Sequence, residues 1–556
     1  MEELCDVATR IRRVGEPGES WRKNYAGFVS TTVLKTNLQL VDSHKTSTYQ
    51  QILDMSDIDG IEQHTYWNRC ACNEIDALNR RHYPDDLPEL WNPVHGLQEL
   101  YVKNWDLFIL GLKDTQPYTP VSHTEMMSTC RAHIKKRYQN AYDQIRERRV
   151  IFGKSQSRTK FFVKFEKIPT SKVETGKAPR CIQYRDFKYM YAFKRSFLPI
   201  TKAIKKCVEL NVFGQAVNTI FTKNMLGCAI ADNMRSFWLK LRKPVAVCLD
   251  HRNWDGHFCR PLIGVANKMW KKYAGSDKIR HRINLLSRLL DEQFKTTGYS
   301  SNGVQFDASG KRCSGEFTTS DENGVSNKHI IESVFECIIY ILLDAGVLKG
   351  KFEDWIVYLQ INGDDSVTML EHELWVAING HFGKEWLDIF RSLNQETEME
   401  ISTYHFEEIS YCQASPVCID GNWLMVKKPL RALSRVCYSD KKLDAKTVLR
   451  YYRSLGLCEL AGSAGVPILQ TLAVRLLELA QGARPLGKVD KVWAKSMNQG
   501  RIRFKPVSRD SRLSFERAFG IAPETQLAIE NIISGRKYRT KEATNLVGIY
   551  TNFHLN

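Results

Sequence analysis

The sequence WIVYLQINGDDSVTML, residues 355–370, passes from an apolar run into Asn362-Gly363-Asp364-Asp365, then at once into a second β-forming run, Ser366-Val367-Thr368-Met369-Leu370. Two such runs around a glycine-containing turn predict a β-hairpin, with Gly363 taking backbone angles that other residues avoid. The hairpin tip presents two adjacent carboxylates on a rigid element. Hard divalent cations such as Mg²⁺ take oxygen ligands, and carboxylates held this way can position them for phosphoryl transfer. A solvated polar turn would carry the same residues, and at average composition a chain this long has about a one-in-ten chance of containing Gly-Asp-Asp. The chemistry therefore needs partners elsewhere in the chain.

Outward from the hairpin, the chain has 556 residues, is 43% hydrophobic and has a mean hydropathy of −0.37, a globular composition large enough for several sub-domains. It shows no low-complexity tract and no internal repeat. No apolar run reaches the length of a membrane span, about 20 residues; the nearest, 334–348, contains Glu336 and Asp344 and predicts a buried helix. The opening MEELCDVATRIRRVGEPGE lacks the apolar region of a signal peptide. Fifteen cysteines are scattered without a Cys-x-x-Cys, Cys70 and Cys72 being the one close pair. That argues against a zinc module or a secreted disulfide scaffold and predicts a reducing compartment. The formal charge of +18 and pI near 9.2 suit a polyanionic partner, nucleic acid first and an anionic membrane surface second.

Residues 126–149 predict a helix rich in Lys and Arg, a solvated face in its simplest reading, and the rest of 1–150 carries no functional signal. In 158–200, Lys160, Lys164, Lys167, Lys172, Lys177, Arg180, Arg185 and Lys188 recur between short β-type runs. Such interleaving can line a channel for triphosphates and a phosphodiester backbone, or simply form a basic surface. Residues 245–249 form a continuous apolar strand of the kind buried in a sheet core, with Asp250 at its end and Asp255 five positions on. A carboxylate there can be a metal ligand or a helix N-cap. Residues 261–310 predict a basic helical insertion, then a hairpin around Asn302-Gly303. The small and hydroxyl residues of 310–323 lead into a long helix with apolar pairs at Ile330/Ile331, Val334/Phe335, Ile338/Ile339 and Leu342/Leu343, ending at Gly346. Residues 405–435 predict another hairpin turning at Asp420-Gly421-Asn422. Beyond 440 the chain is helical, with a basic run carrying Arg484, Lys488, Lys491, Lys495, Arg501, Arg503, Lys505, Arg509 and Arg512.

In order, these elements are a basic segment, a strand with Asp250-x4-Asp255, Ser314-Gly315-x3-Thr319-x3-Asn323 opening a helix, a Gly-Asp-Asp hairpin, a Cys412-Gln413 hairpin and a helical end. The series resembles the motifs of viral RNA-dependent RNA polymerases. It is most similar to the tombusvirus/carmovirus-like group of positive-strand RNA viruses, through APRCIQYRD (178–186), FEEISYCQASPV (406–417), MVKKPLRALS (425–434) and RLSFERAFGIAPETQLAIE (512–530), and it covers about residues 161–532.

The resemblance implies an α+β right-hand polymerase with an antiparallel palm sheet packed on helices. Residues 1–240 would form an N-terminal extension and fingers, 261–310 a fingers insertion, 241–260 and 311–435 the palm, and 436–556 the thumb. It implies RNA-templated RNA synthesis from nucleoside triphosphates with Mg²⁺, or Mn²⁺ in its place. Asp250 and Asp364 would be the principal metal ligands, with Asp365 assisting and more forgiving of substitution. Asp255 and Asn323 would recognise the ribose 2′-hydroxyl, with Ser314, Gly315 and Thr319 supporting that site. Lys164, Lys167, Arg180 and Arg185 would guide the triphosphate, Arg180 most firmly, and Cys412 and Gln413 would form a primer grip near the nascent 3′ end. Implied partners are template and nascent RNA and a separate membrane-anchoring replication protein, with work at membrane-associated replication complexes in the host cytoplasm. The larger replicases of the family carry a membrane-anchoring region upstream, which belongs to another protein here or precedes this chain.

Three positions depart from the pattern. Glu316 follows Ser314-Gly315 where aspartate is expected, and Gln183-Tyr184 precedes Arg185 where the family has Gln-Pro. Thr397-Glu398-Met399-Glu400 stands where a lysine often serves as general acid to pyrophosphate; Lys384 lies upstream, and the proton donor stays unassigned. Two other readings compete: a reverse transcriptase, which would place a bulky residue near Asp255, and a non-catalytic RNA-binding replication protein, which would not need three aspartates placed for metals.

Overall fold

A computed structural model describes residues 30–33, 46–82, 96–148, 154–275, 280–439, 442–486 and 504–535. Arg149 and Lys488, Lys491, Lys495, Arg501 and Arg503 of the basic runs lie outside them, as do the first 29 residues.

The chain forms a mixture of helices and antiparallel sheets. The central four-stranded sheet has the order Val357–Asn362, Asp365–Glu371, Pro244–Arg252, Glu396–Thr403, every neighbour antiparallel. Successive side chains of a strand point to opposite faces, which explains the continuous apolar run at 245–249. Val245, Val247 and Leu249 pack with the long helix Thr319–Asp344 in the largest core, while Ala246 and Cys248 pack on the other face with Met234, Phe237, Trp238 and Tyr411. Both faces are covered, so both sides of this run are apolar.

The expected hairpins form. Asn362 pairs with Asp365, leaving Gly363 (φ 74°) and Asp364 as a two-residue loop. Positive φ at the first loop position only is the pattern of a II′ turn, whose twist matches that of the strands. Asp420 (φ 49°) and Gly421 (φ 80°) are both left-handed in the turn joining Ala414–Ile419 to Asn422–Lys427, as a I′ turn requires. The helix expected at 126–149 is instead two, His123–Ser128 and Ala132–Arg148, the first capped by Ser122, whose side chain accepts from Glu125 N.

The helix Thr319–Asp344 is buried without interruption from Glu322 to Ile339, so its charged residues need partners. Lys328 pairs with Glu332 at 2.5 Å, and Glu336 accepts from Lys103 (3.0 Å) and Asn104 (3.1 Å).

A five-stranded sheet has the order Ser30–Val33, Val304–Ser309, Lys295–Tyr299, Thr159–Val163, Cys181–Arg185. The hairpin of the 261–310 insertion thus extends the sheet of the basic segment, through a parallel pairing of 159–160 with 298–299. The 1–240 region divides among several cores. Leu97–Thr115 packs into the central core, whereas Ile52, Leu53, Met55 and Ile58 pack with the C-terminal helices 445–479 and 509–534. Gln50–Gln51 pairs with Tyr438–Ser439, and Ile52 N donates to Cys437 O at 2.8 Å, tying the N-terminal segment to the C-terminal part. Among the described residues no helix is long and apolar enough to cross a membrane.

Candidate functional site

The strand Pro244–Arg252 and the Gly-Asp-Asp hairpin are neighbours in register. Leu249 pairs with Ser366, so Asp250 lies at the same end as the hairpin tip. On its other side Asp250 pairs directly with Glu398, and a β-bulge between Met399 and Ile401 sets Glu400 out of register beside it. Bulges re-aim side chains and occur next to active sites. Like charges opposite one another destabilise a sheet, and here they show in the acidities. Burial, then Glu400, Asp364 and Glu398, push Asp250 above the ordinary carboxylate range. Burial, then Asp364 and Asp250, push Asp365 up to about 6.

The three aspartates are not equivalent. Asp250 and Asp364 line an open cavity of about 970 Å³ that Arg80, Arg81, Lys172 and Lys177 line as well. Asp365 turns toward Cys412, which bonds its carboxyl and lowers its pKa, while Asn362 Nδ2 lies 3.3 Å from Cys412 Sγ. Cys412 (φ 52°) and Gln413 (φ 62°) are both left-handed, in a tight turn closed by Tyr411 and Ala414. The structure therefore brings Cys412 to the Asp-Asp turn and leaves Gln413 exposed, accepting from Arg431 at 3.3 Å.

A second cavity of about 330 Å³ adjoins the first, sharing Arg81, Asn253, Trp254 and Asp364 with it, and Lys164, Arg180, Asp255, Ser314, Thr319 and Asn323 are among the residues that line it. Asn323 Nδ2 donates to Asp255 Oδ1 at 3.2 Å, while Asn323 Oδ1 is buried with no partner among the described residues. Burial and Asp364 push Asp255 up to about 6, against the opposing pull of the Asn323 bond. The hydroxyls of Ser314 and Thr319 are engaged, donating to Cys181 O (2.8 Å) and Cys313 O (2.7 Å), so they shape the wall. A Cβ on Gly315 would come within 2.3 Å of Gln183 O; glycine lets this loop lie against the backbone of Cys181–Arg185. Lys164 and Arg180 share Glu166, at 2.8 and 3.8 Å.

Two expected phosphate contacts are corrected. Arg185 is 1% exposed and ion-paired with Glu316; it also donates to Ser157 O and, at 3.3 Å, to Thr296 Oγ1. The reason is period two: 181, 183 and 185 are the buried face of their strand. Gln293 Nε2 donates to the other oxygen of Glu316 at 3.0 Å, so the glutamate found where aspartate was expected is fully used. Lys167 donates to Arg435 O (2.8 Å) and Tyr438 O, which makes it a tie to the C-terminal part. Replacing Arg185 with alanine strands a buried carboxylate and is expected to cost about 3–5 kcal/mol of stability. Thermal unfolding measures it; a normal melting temperature with a raised KM for nucleotide would restore Arg185 to phosphate binding.

Residues 47–540 match the family described as viral RNA dependent RNA polymerase. The chain belongs to that family. It is 27% identical to the RNA-directed RNA polymerase of Turnip crinkle virus over 461 residues, 80% of this chain and 53% of the relative. To that of Tomato bushy stunt virus (strain Cherry) it is 28% identical over 381 residues, 66% of this chain and 42% of the relative. To that of Melon necrotic spot virus it is 27% identical over 381 residues, 67% and 44% of the two chains. The chain spans about half the length of the curated relatives it matches.

In this member of the polymerase family, further residues hold the Asp-Asp turn. Asn327, one helical turn beyond Asn323, donates from Nδ2 to Gly363 O and Asp364 O, both at 3.0 Å. His251 Nε2 lies 2.9 Å from Asn327 Oδ1, and its Nδ1 lies 2.8 Å from Thr397 Oγ1. With the Asn327 amide spent on two carbonyls, the histidine donates to its oxygen and accepts from the threonine, so it is the neutral tautomer; burial lowers its pKa to about 4. The i, i+4 pair Asn323/Asn327 on one helix face was the available sequence signal.

Oxygen donors that raise one another's pKa are the chemistry of a hard-cation site, and Asp250, Asp364 and Asp365 fit Mg²⁺ on that ground. Among the described residues no three His, Cys, Asp or Glu side chains already converge on a common point.

Proposed function

We propose that the chain is a right-hand polymerase that synthesises RNA on an RNA template from nucleoside triphosphates. The observation that carries this reading is the junction of the two cavities at Asp364. Asp250 and Asp364 line one cavity, the Asp255–Asn323 pair lines the other, and basic side chains face both. One nucleotide spans that junction with its ribose at Asn323 and its triphosphate toward the aspartates.

In this reading Asp250 and Asp364 hold Mg²⁺ and Asp365 assists; Mn²⁺ can take its place. Mg²⁺ held there would supply Lewis-acid stabilisation for in-line attack by the 3′-hydroxyl and for charge on the departing pyrophosphate. The chain's own residues do the rest. Arg180 and Lys164 hold the triphosphate, Asp255 and Asn323 fix the ribose, Asn327 keeps the turn in place, and Cys412-Gln413 lies near the growing 3′ end. In this reading the palm is 241–260 with 311–435, the fingers 1–240 with 261–310, and the thumb 436–556. Template and nascent RNA explain the basic surplus, and a separate membrane-anchoring replication protein would bring the enzyme to membrane-associated complexes in the host cytoplasm.

The test is incorporation of labelled nucleotides on an RNA template with Mg²⁺. NTPs are expected to be used in strong preference to dNTPs. Preference for dNTPs would support a reverse transcriptase, and RNA binding without incorporation would support a non-catalytic replication protein.

A further inference from the structure

The N-terminal segment, silent as sequence, supplies a side chain to the site. Residues Ala71–Ala77 form a helix that continues as a π-helical turn, Leu78–His82. Such turns are rare and concentrate at functional sites. This one is fastened on several sides. Arg80 pairs with Asp76 at 3.2 Å and donates to Gly176 O, Asn253 Nδ2 donates to Arg80 O at 3.3 Å, and the fully buried His82 accepts from Cys181 N at 3.3 Å. The anchors come from the basic loop on one side and from the residue just past the catalytic strand on the other.

Arg81 is what this fastening aims. It alone among the arginines and lysines lining these two cavities lies on the wall of both. Its guanidinium makes no hydrogen bond or ion pair among the described residues, although the side chain is half-buried. The charges that act on it are Arg180 on one side and Glu166, Asp255 and Asp364 on the other. Asp255 marks the ribose end of the junction and Asp364 the metal end, so Arg81 lies beside the path between them. A half-buried guanidinium with a planar fork of free donors, next to a second arginine, is unfavourable until an anion arrives.

We infer that Arg81 is a phosphate-binding residue of the polymerase site, contacting the triphosphate of the incoming nucleotide together with Arg180. The inference rests on the polymerase reading and extends it: the nucleotide site is completed from residues 71–82, so chain truncated beyond them would keep its aspartates and lose affinity for nucleotide. Because the contact is to phosphate, it is blind to the base.

The test compares the parent with Arg81→Gln and Arg81→Lys. In R81Q, KM is expected to rise about ten- to a hundredfold for all four NTPs alike, the range of a lost charge-assisted hydrogen bond. The inhibition constant of inorganic pyrophosphate should rise in parallel, with kcat much less affected and RNA affinity unchanged. R81K keeps the charge without the fork and should fall between; it also serves if R81Q folds poorly. KM and pyrophosphate inhibition within twofold of the parent in both variants would overturn the assignment, as would a loss confined to RNA affinity. Equilibrium binding of ATP with Mg²⁺ to the three proteins reads Arg81 even if the parent does not polymerise. Parent inactivity with weakened ATP binding in R81Q sinks the polymerase reading and keeps the phosphate site; an active parent with unchanged R81Q sinks the site alone.

Discussion

Asp364→Ala is expected to lower RNA synthesis about a thousandfold or more. A bound divalent ion supplies several kcal/mol of transition-state charge stabilisation, and each 1.36 kcal/mol is about tenfold in rate. Asp364 is the acid that lines both cavities, so no neighbour can replace it. Asp365, turned toward Cys412, should show a smaller loss on conversion to asparagine. The fold is expected to survive. Burial raises the pKa of Asp250, Asp255 and Asp365, the last two to about 6, and Asp364 adds to the rise in each. A carboxyl whose folded pKa lies above its unfolded value near 4 loses stability as pH rises between the two. At pH 7 that loss is complete, and removing Asp364 relieves part of it. The variant should therefore melt no lower than the parent at pH 7 while its RNA affinity is unchanged. Activity within tenfold of the parent would take Asp364 out of the metal site.

The second large effect concerns the sugar. Asn323 lines the second cavity, and its Oδ1 is a buried acceptor with no partner among the described residues. In the proposed reading a 2′-hydroxyl would satisfy it and a deoxyribose would leave it stranded, which is how a polar site rejects an analogue lacking one hydroxyl. Asn323→Ala removes the stranded atom and the bond to Asp255 together. The preference for NTP over dNTP, as a ratio of kcat/KM, is expected to fall about ten- to a hundredfold, mainly through poorer use of NTP. An unchanged ratio would mean that the sugar is read elsewhere.

Much of this site was legible in the sequence, and the reasons are local. A hairpin declares itself in a few consecutive residues, since the turn needs glycine or aspartate at fixed positions and the strands alternate with period two. The long helix declares itself by its apolar pairs, and Asp250 by the apolar run it follows. Arg185 and Lys167 show the limit of counting charges. Both sit in a run of basic residues that looks uniform, yet one is buried against Glu316, 131 positions away, and the other reaches carbonyls at 435 and 438. Strand alternation from Cys181 would have turned Arg185 inward had it been applied to a charged residue.

The sequence by itself determined the hairpin with its Asp-Asp tip, the buried strand that carries Asp250, the long helix after the Ser314-Gly315 loop and the order of motifs that marks the polymerase family. These depend on residues close in sequence or on their succession. Only the tertiary structure decided that Asp250 and Asp364 share a cavity while Asp365 faces Cys412, that Asn327 pins the turn, and that Arg81 reaches the site from the N-terminal segment. Each of these depends on which way a side chain points once distant strands and helices have packed. Nothing in the local pattern around Arg81, Asn79-Arg80-Arg81-His82, distinguishes it from any basic surface turn.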